Sequence, residues 1–195
     1  MERVAVRTFH RIHWLIAALT GFALWHSGQA GWIHAKARLA QYLMQSAWER
    51  GLRGEHEPKP WPWADTWPIA RLSAPRQGIE VFVLAGASGR TLAFGPGHLF
   101  GTAPPGAPGN SVISAHRDTH FAFLRHLVPG DELVVETPDG GRRRYVVSGT
   151  DVVDRRDLRA TLPEPTARLT LITCYPFDAV NPRGPLRYVV RAVGT

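Results

Sequence analysis

The sequence predicts a mainly β fold, a closed or half-closed barrel of seven or eight short strands, on three observations. From residue 69 onward, apolar residues alternate or run in short blocks separated by turn residues. The 195 residues include 16 prolines and 19 glycines, which favour loops and turns over a helical bundle. Within this region only residues 121–127 read as helix, and that stretch is short. Many short strands with one short helix are the pattern of a barrel.

The chain before the barrel is different in character. Arg3, Arg7 and Arg11 face one acid, Glu2, and residues 14–33 then carry no charged side chain. A helix of about 20 such residues can span a bilayer, with Trp14, Trp25 and Trp32 suited to its interfaces. His26, Ser27 and Gln29 weaken the far end. The preceding arginines predict a single pass with a cytoplasmic N-terminus and the remainder exported. Two other readings stay open: a cleaved signal peptide, because Gly28-Gln29-Ala30 resembles a small-x-small cleavage site, and a soluble amphipathic helix. Residues 34–52 read as a second, membrane-proximal helix. Leu39, Leu43 and Ala47, and likewise Met44, Trp48 and Leu52, recur at intervals of four, and Gly54 can end it. The Pro/Trp-rich residues 55–67 exclude regular helix and central strand and suit a stiff packed connection or a carbohydrate-stacking surface. The expected parts are therefore 1–33, 34–68 and 69–195.

In the barrel region the strand candidates are 78–85, 91–94, 111–115, 132–136, 143–150, 168–174 and 186–193. Asp139-Gly140-Gly141 marks a hairpin, and residues 95–98 and 102–110 read as loops.

Composition removes several function classes. The net charge of +7 invites a nucleic-acid partner, but the arginines are dispersed and no nucleic-acid module is present. Arg142-Arg143-Arg144 beside the Asp-Gly-Gly turn reads as a solvated hairpin. One cysteine allows no internal disulfide and argues against a zinc cluster; His98, His116 and His120 are too dispersed for a ligand signature. No metal or cofactor is expected.

The chemistry centres on Leu169-Thr-Leu-Ile-Thr-Cys174-Tyr-Pro-Phe177, where the lone cysteine ends an apolar strand just before a proline. A rigid strand holds the thiol while its sulfur meets the loops, which suits a nucleophile. His116, in Ser111-Val-Ile-Ser-Ala-His116-Arg-Asp-Thr-His120, also follows a β-like run, and Arg187 opens the last strand. Cys, His and Arg at three strand ends make a candidate acyl-transfer site.

The order His, Cys, Arg at strand ends resembles the sortases, cysteine transpeptidases on an eight-stranded β-barrel. Thr170-Leu-Ile-Thr-Cys174 resembles their nucleophile string and Ala115-His116-Arg117-Asp118 their histidine string, where Gly usually stands in place of Ala115. Pro60-Trp-Pro-Trp-Ala-Asp-Thr-Trp-Pro68, Phe94-Gly-Pro-Gly-His98, Gly109-Asn110, Thr173-Cys-Tyr-Pro-Phe-Asp178 and Gly184-Pro-Leu-Arg-Tyr-Val-Val190 are similar to the class GN sortases of Gram-negative bacteria. The resemblance implies that Cys174 attacks the threonine carbonyl of a Leu-Pro-x-Thr-Gly-like C-terminal sorting signal. It implies that His116 moves the proton of the leaving and incoming amines, and that Arg187 holds the substrate carbonyl and oxyanion. Arg183 is the alternative arginine; it stands where these enzymes commonly have Gly, whereas Arg187 has the family's Leu-Arg-Tyr-Val-Val context. His98, Asp118, His120 and Tyr175 are candidate substrate-binding residues.

The expected partners are an exported protein bearing the sorting signal, an amine acceptor and the inner membrane, with the catalytic domain on the periplasmic side. Two enzyme rivals fit less well. L,D-transpeptidases place Ser-His-Gly before the cysteine, and papain-like proteases place the cysteine before the histidine. A non-catalytic, membrane-tethered barrel that binds peptides or glycans is the alternative outside the enzymes.

Overall fold

The computed structural model describes residues 2–181 and 184–195. Two compact units divide the chain, Met1–Gln41 and Tyr42–Thr195. Helix α1 (Glu2–Leu52) covers both stretches expected to be helical as one continuous element. In the first unit Leu19, Phe22, Leu24, Trp25 and Trp32 are exposed. Among the described residues no helix is long and apolar enough to cross a membrane.

In the second unit eight strands close a barrel in the order β1-β2-β3-β4-β7-β8-β6-β5. They are β1 (Pro68–Ala74), β2 (Ile79–Ala85), β3 (Gly97–His98), β4 (Asn110–Ser114), β5 (Glu132–Glu136), β6 (Arg142–Asp154), β7 (Arg168–Tyr175) and β8 (Leu186–Gly194). Most pairs are antiparallel, and the β2–β3 and β4–β7 pairs are parallel. Alternate residues point inward. Leu72, Val83, Ile113, Leu133, Tyr145, Leu169, Leu171 and Val190 fill the interior, with Phe121, Leu124 and Leu127 from the 3-10 segment after β4. Burying each such aliphatic side chain contributes roughly 1.5–3 kcal/mol.

Two local expectations are overturned. Residues 91–94 are not a strand, because the Ser88 hydroxyl accepts from the Thr91 amide and caps a helical turn, α2 (Gly89–Leu92). The expected loop at 95–98 holds β3, the two-residue bridge between β2 and β4. Gly97 permits that bridge: a Cβ there would lie 2.3 Å from the Gly86 carbonyl oxygen.

The end of α1 and the Pro/Trp connection pack onto the barrel. Met44, Ala47 and Trp48 are buried, Trp48 lies 5.8 Å from Phe82, and Trp61 meets Phe94 edge-on at 4.9 Å. The Thr66 hydroxyl donates to the Ala85 carbonyl at 2.8 Å.

Candidate active site

Ladder register brings the three principal candidates together. Cys174 on β7 pairs directly with Arg187 on β8. On the other side of β7, the parallel ladder with β4 runs to Ser114 opposite Ile172, and the Ala115 amide donates to the Ile172 carbonyl at 3.3 Å. His116 is the next residue, two positions past the end of β4. Thr173, buried beside the cysteine, donates its hydroxyl to the Ala115 carbonyl at 2.7 Å and ties the two strand ends together.

The face is as informative as the register. Leu169 and Leu171 lie in the barrel core with Ile113, Val190 and Ala192. The alternating residues Val112, Ile172, Cys174, Arg187 and Val189 therefore lie on the outer face of β4, β7 and β8. Cys174 and Arg187 are half-buried there, and His116 is exposed. Val112 and Val189 on that face are buried. At its far end Asn110 donates to the Ala160 and Leu162 carbonyls, both at 3.0 Å, and accepts from the Thr170 hydroxyl at 2.7 Å. These bonds draw the β6–β7 loop over the face.

The Arg187 Nη1 donates to the carbonyls of Gly184 at 3.0 Å and Leu186 at 2.8 Å. One nitrogen is thus spent on orienting the side chain, and the planar fork has further donors besides it. The other arginine considered, Arg183, lies outside the described residues.

The remaining candidates fall elsewhere. His120 is close enough to His116 for the two charges to interact: burial first, then the His116 charge, lower the His120 pKa from its ordinary value. Asp118 is exposed and has no hydrogen-bond or ion-pair partner among the described residues. Tyr175 does not share the face of Cys174. Strand alternation turns it to the opposite side from Cys174, where it stacks on Tyr188 at 6.1 Å and meets Phe177 edge-on. His98 is likewise turned inward, opposite Ile113. Its Nε2 lies 2.9 Å from the Ala103 carbonyl oxygen and 3.1 Å from the Thr102 hydroxyl, and burial lowers its pKa. It borders a cavity of about 900 Å³ with Phe100, Pro104, Pro138 and Arg143, away from the thiol. Among the described residues no group of three His, Cys, Asp or Glu side chains could hold a metal ion.

A half-buried thiol between an arginine on one neighbouring strand and a histidine at the end of the other is equipped for acyl transfer: nucleophile, proton carrier and oxyanion donor on one face. The sortase-domain family model matches residues 72–195. The chain belongs to the sortase family. Sortases are cysteine transpeptidases. Sortase D of Bacillus subtilis (strain 168) is 33% identical over 120 residues, which cover 61% of this chain and 60% of that protein. Sortase SrtE1 of Streptomyces coelicolor is 28% identical over 167 residues, covering 73% of this chain but only 44% of that protein. The chain thus spans under two thirds of either curated relative. Among solved structures, a Clostridium perfringens sortase C with the C-terminal cell wall sorting motif superposes with a TM-score of 0.61 at 21% identity, covering 83% of this chain and 90% of that one. The likeness is one of fold.

Proposed function

We propose that this chain is a membrane-anchored sortase that cleaves a Leu-Pro-x-Thr-Gly-like sorting signal and transfers the released acyl group to an amine. The observation that carries the reading is the register that puts Arg187 opposite Cys174 while the parallel ladder from β4 leads to His116 on its other side.

In this reading the Cys174 thiol gives its proton to His116 and the thiolate attacks the threonine carbonyl, the resulting oxyanion being held by donors of Arg187. His116 protonates the leaving glycine amine as the peptide bond breaks and a thioacyl enzyme forms. An incoming amine then attacks the thioester, His116 takes its proton, and the thiolate leaves. The partly exposed Ile172, on the face of Cys174, suits contact with the leucine or proline of such a signal. The sorting motif beside the clostridial sortase C supports the substrate class.

The anchoring reading is supported by the arginines before residue 14 and by the exposed Leu19, Phe22, Leu24, Trp25 and Trp32 of α1. Resemblance to the class GN sortases adds a Gram-negative inner membrane with the barrel on the periplasmic side and an exported target protein.

The test is intact-protein mass spectrometry of the full chain in detergent with a Leu-Pro-x-Thr-Gly peptide. An acyl adduct on Cys174, absent from Cys174→Ala and released by an added amine, is the expected result. A folded protein with an alkylatable Cys174 and no adduct from a panel of sorting-signal peptides would overturn the reading and favour a peptide- or glycan-binding barrel.

A further inference from the structure

We infer that Arg117 is a positioning residue for this transfer, fastening the β7–β8 loop to the segment that carries His116 and so fixing the imidazole against Cys174. The inference rests on the roles proposed above for Cys174 and His116.

Three consecutive residues after β4 point in alternating directions. Ala115 is buried, His116 is exposed, and Arg117 is only 7% exposed. The Arg117 guanidinium turns away from solvent and donates through Nη2 to the Ala179 carbonyl at 2.5 Å and the Asn181 carbonyl at 3.2 Å. Both carbonyls belong to the loop between β7, which carries Cys174, and β8, which carries Arg187. No carboxylate pairs with Arg117 among the described residues, and its Nη1 is buried without a partner among them.

Core stability does not call for this arrangement. A buried guanidinium without a counter-ion is costly to desolvate, and a methionine of similar length would fill the space without that cost. The charge supplies directional, charge-assisted bonds to two carbonyls in a stretch with no regular structure. His116 thereby sits between two ties. Residue 115 is held to the strand of the thiol through Thr173, and residue 117 is held to the loop that follows the thiol. A segment pinned on both sides can neither swing nor slide, which is what a proton carrier needs to stay in reach of two successive amines.

The test uses the full chain in detergent with Arg117→Met and Arg117→Lys, each alone and combined with His116→Ala. Single-turnover acylation of Cys174 by a Leu-Pro-x-Thr-Gly peptide is followed by mass spectrometry and normalised to alkylatable thiol. At saturating peptide, Arg117→Met should slow acylation by about 10- to 100-fold with little change in apparent KM. Arg117→Lys, which keeps one nitrogen able to reach the carbonyls, should recover most of the rate. In the His116→Ala background the Met substitution should cost less than about 2-fold, because the group it positions is gone. Amide hydrogen exchange over residues 176–185 should quicken in the Met variant and stay near parental in the Lys variant.

An unchanged rate, an equal loss with and without His116, or unchanged exchange in the loop would overturn the proposal. Should the Met variant fail to fold, the Lys variant decides: parental exchange with a rate tenfold lower would overturn it. A parent that forms no adduct defeats the sorting-signal reading alone, and loop exchange still decides whether Arg117 holds the loop.

Discussion

Replacing Thr173 by valine removes one hydroxyl and almost no volume, and it tests whether the tie between the two strand ends serves catalysis. Thr173 is 1% exposed, and its Oγ1 donates at 2.7 Å to the carbonyl of Ala115, which is also buried. That hydroxyl is the donor the carbonyl has among the described residues, since the regular β4–β7 ladder stops one residue earlier. Valine leaves the carbonyl buried and unsatisfied, at a cost of about 1–3 kcal/mol. For a domain of this size each kcal/mol lowers Tm by about 2–4 °C, so a mid-range loss of about 2 kcal/mol predicts a fall of about 4–8 °C. The carbonyl belongs to the residue before His116 and the hydroxyl to the residue before Cys174, so acylation should slow by about tenfold, equivalent to about 1.4 kcal/mol of barrier. Thermal unfolding gives the first number and single-turnover acylation the second. A lowered Tm with a parental acylation rate per folded molecule would refute the positional argument and leave a purely structural bond. An unchanged Tm would refute the claim that the carbonyl depends on Thr173.

Arg187→Ala should lower acylation by about 100- to 1000-fold, the usual loss of an oxyanion donor, with Arg187→Lys intermediate; parental activity in the Ala variant would remove Arg187 from the site. Asn110→Ala severs the bonds to Ala160 and Leu162, so hydrogen exchange over residues 155–167 should quicken and apparent KM should rise several-fold with kcat changed less. An unaffected KM would separate the β6–β7 loop from substrate binding. The Val128 amide, then Arg76 at 2.7 Å and Gln77, hold the Asp131 carboxyl below the ordinary carboxylate range. A lowered folded pKa gives stability that is present above about pH 4 and is lost as pH falls through the folded value. Tm measured against pH should show this acid loss in the parent and a smaller one in Asp131→Asn, and parallel curves would refute it.

The barrel and its chemistry were largely legible because both are local in sequence. Apolar blocks bounded by Gly and Pro marked most of the strands, and the Thr-Leu-Ile-Thr-Cys string put the thiol at a strand end before any pairing was known. Three elements escaped, among them strand β1 (Pro68–Ala74), which follows the Pro/Trp-rich stretch and is absent from the strand candidates. The Thr91-Leu-Ala-Phe94 stretch has strand-like composition, but a single hydroxyl from Ser88 diverts it into a helical turn. Strand β3 is two residues long and exists because Gly97 lets two backbones approach, which periodicity cannot register. The residues that organise the site were harder to find. Thr173 read as one more core position, Asn110 as part of a loop and Arg117 as an unassigned member of the histidine string. Their roles depend on carbonyls from about 50 to more than 60 positions away.

Strand geometry decides which residues share the face of Cys174. Successive residues of a strand face opposite sides of the sheet, so the neighbour of a groove residue is turned away from the groove by construction. Tyr175 follows Cys174 and therefore joins Tyr188 and Phe177 on the inner side, where Arg125 lies over the Phe177 ring at 4.8 Å. His98 is drawn inward by its pairing with Ile113. The residues that share the face of Cys174 are Ile172, two positions along its own strand, and Arg187, directly across the β7–β8 ladder. The reactive groups therefore come from β7 and the two strands that flank it, β4 through a parallel ladder and β8 through an antiparallel one.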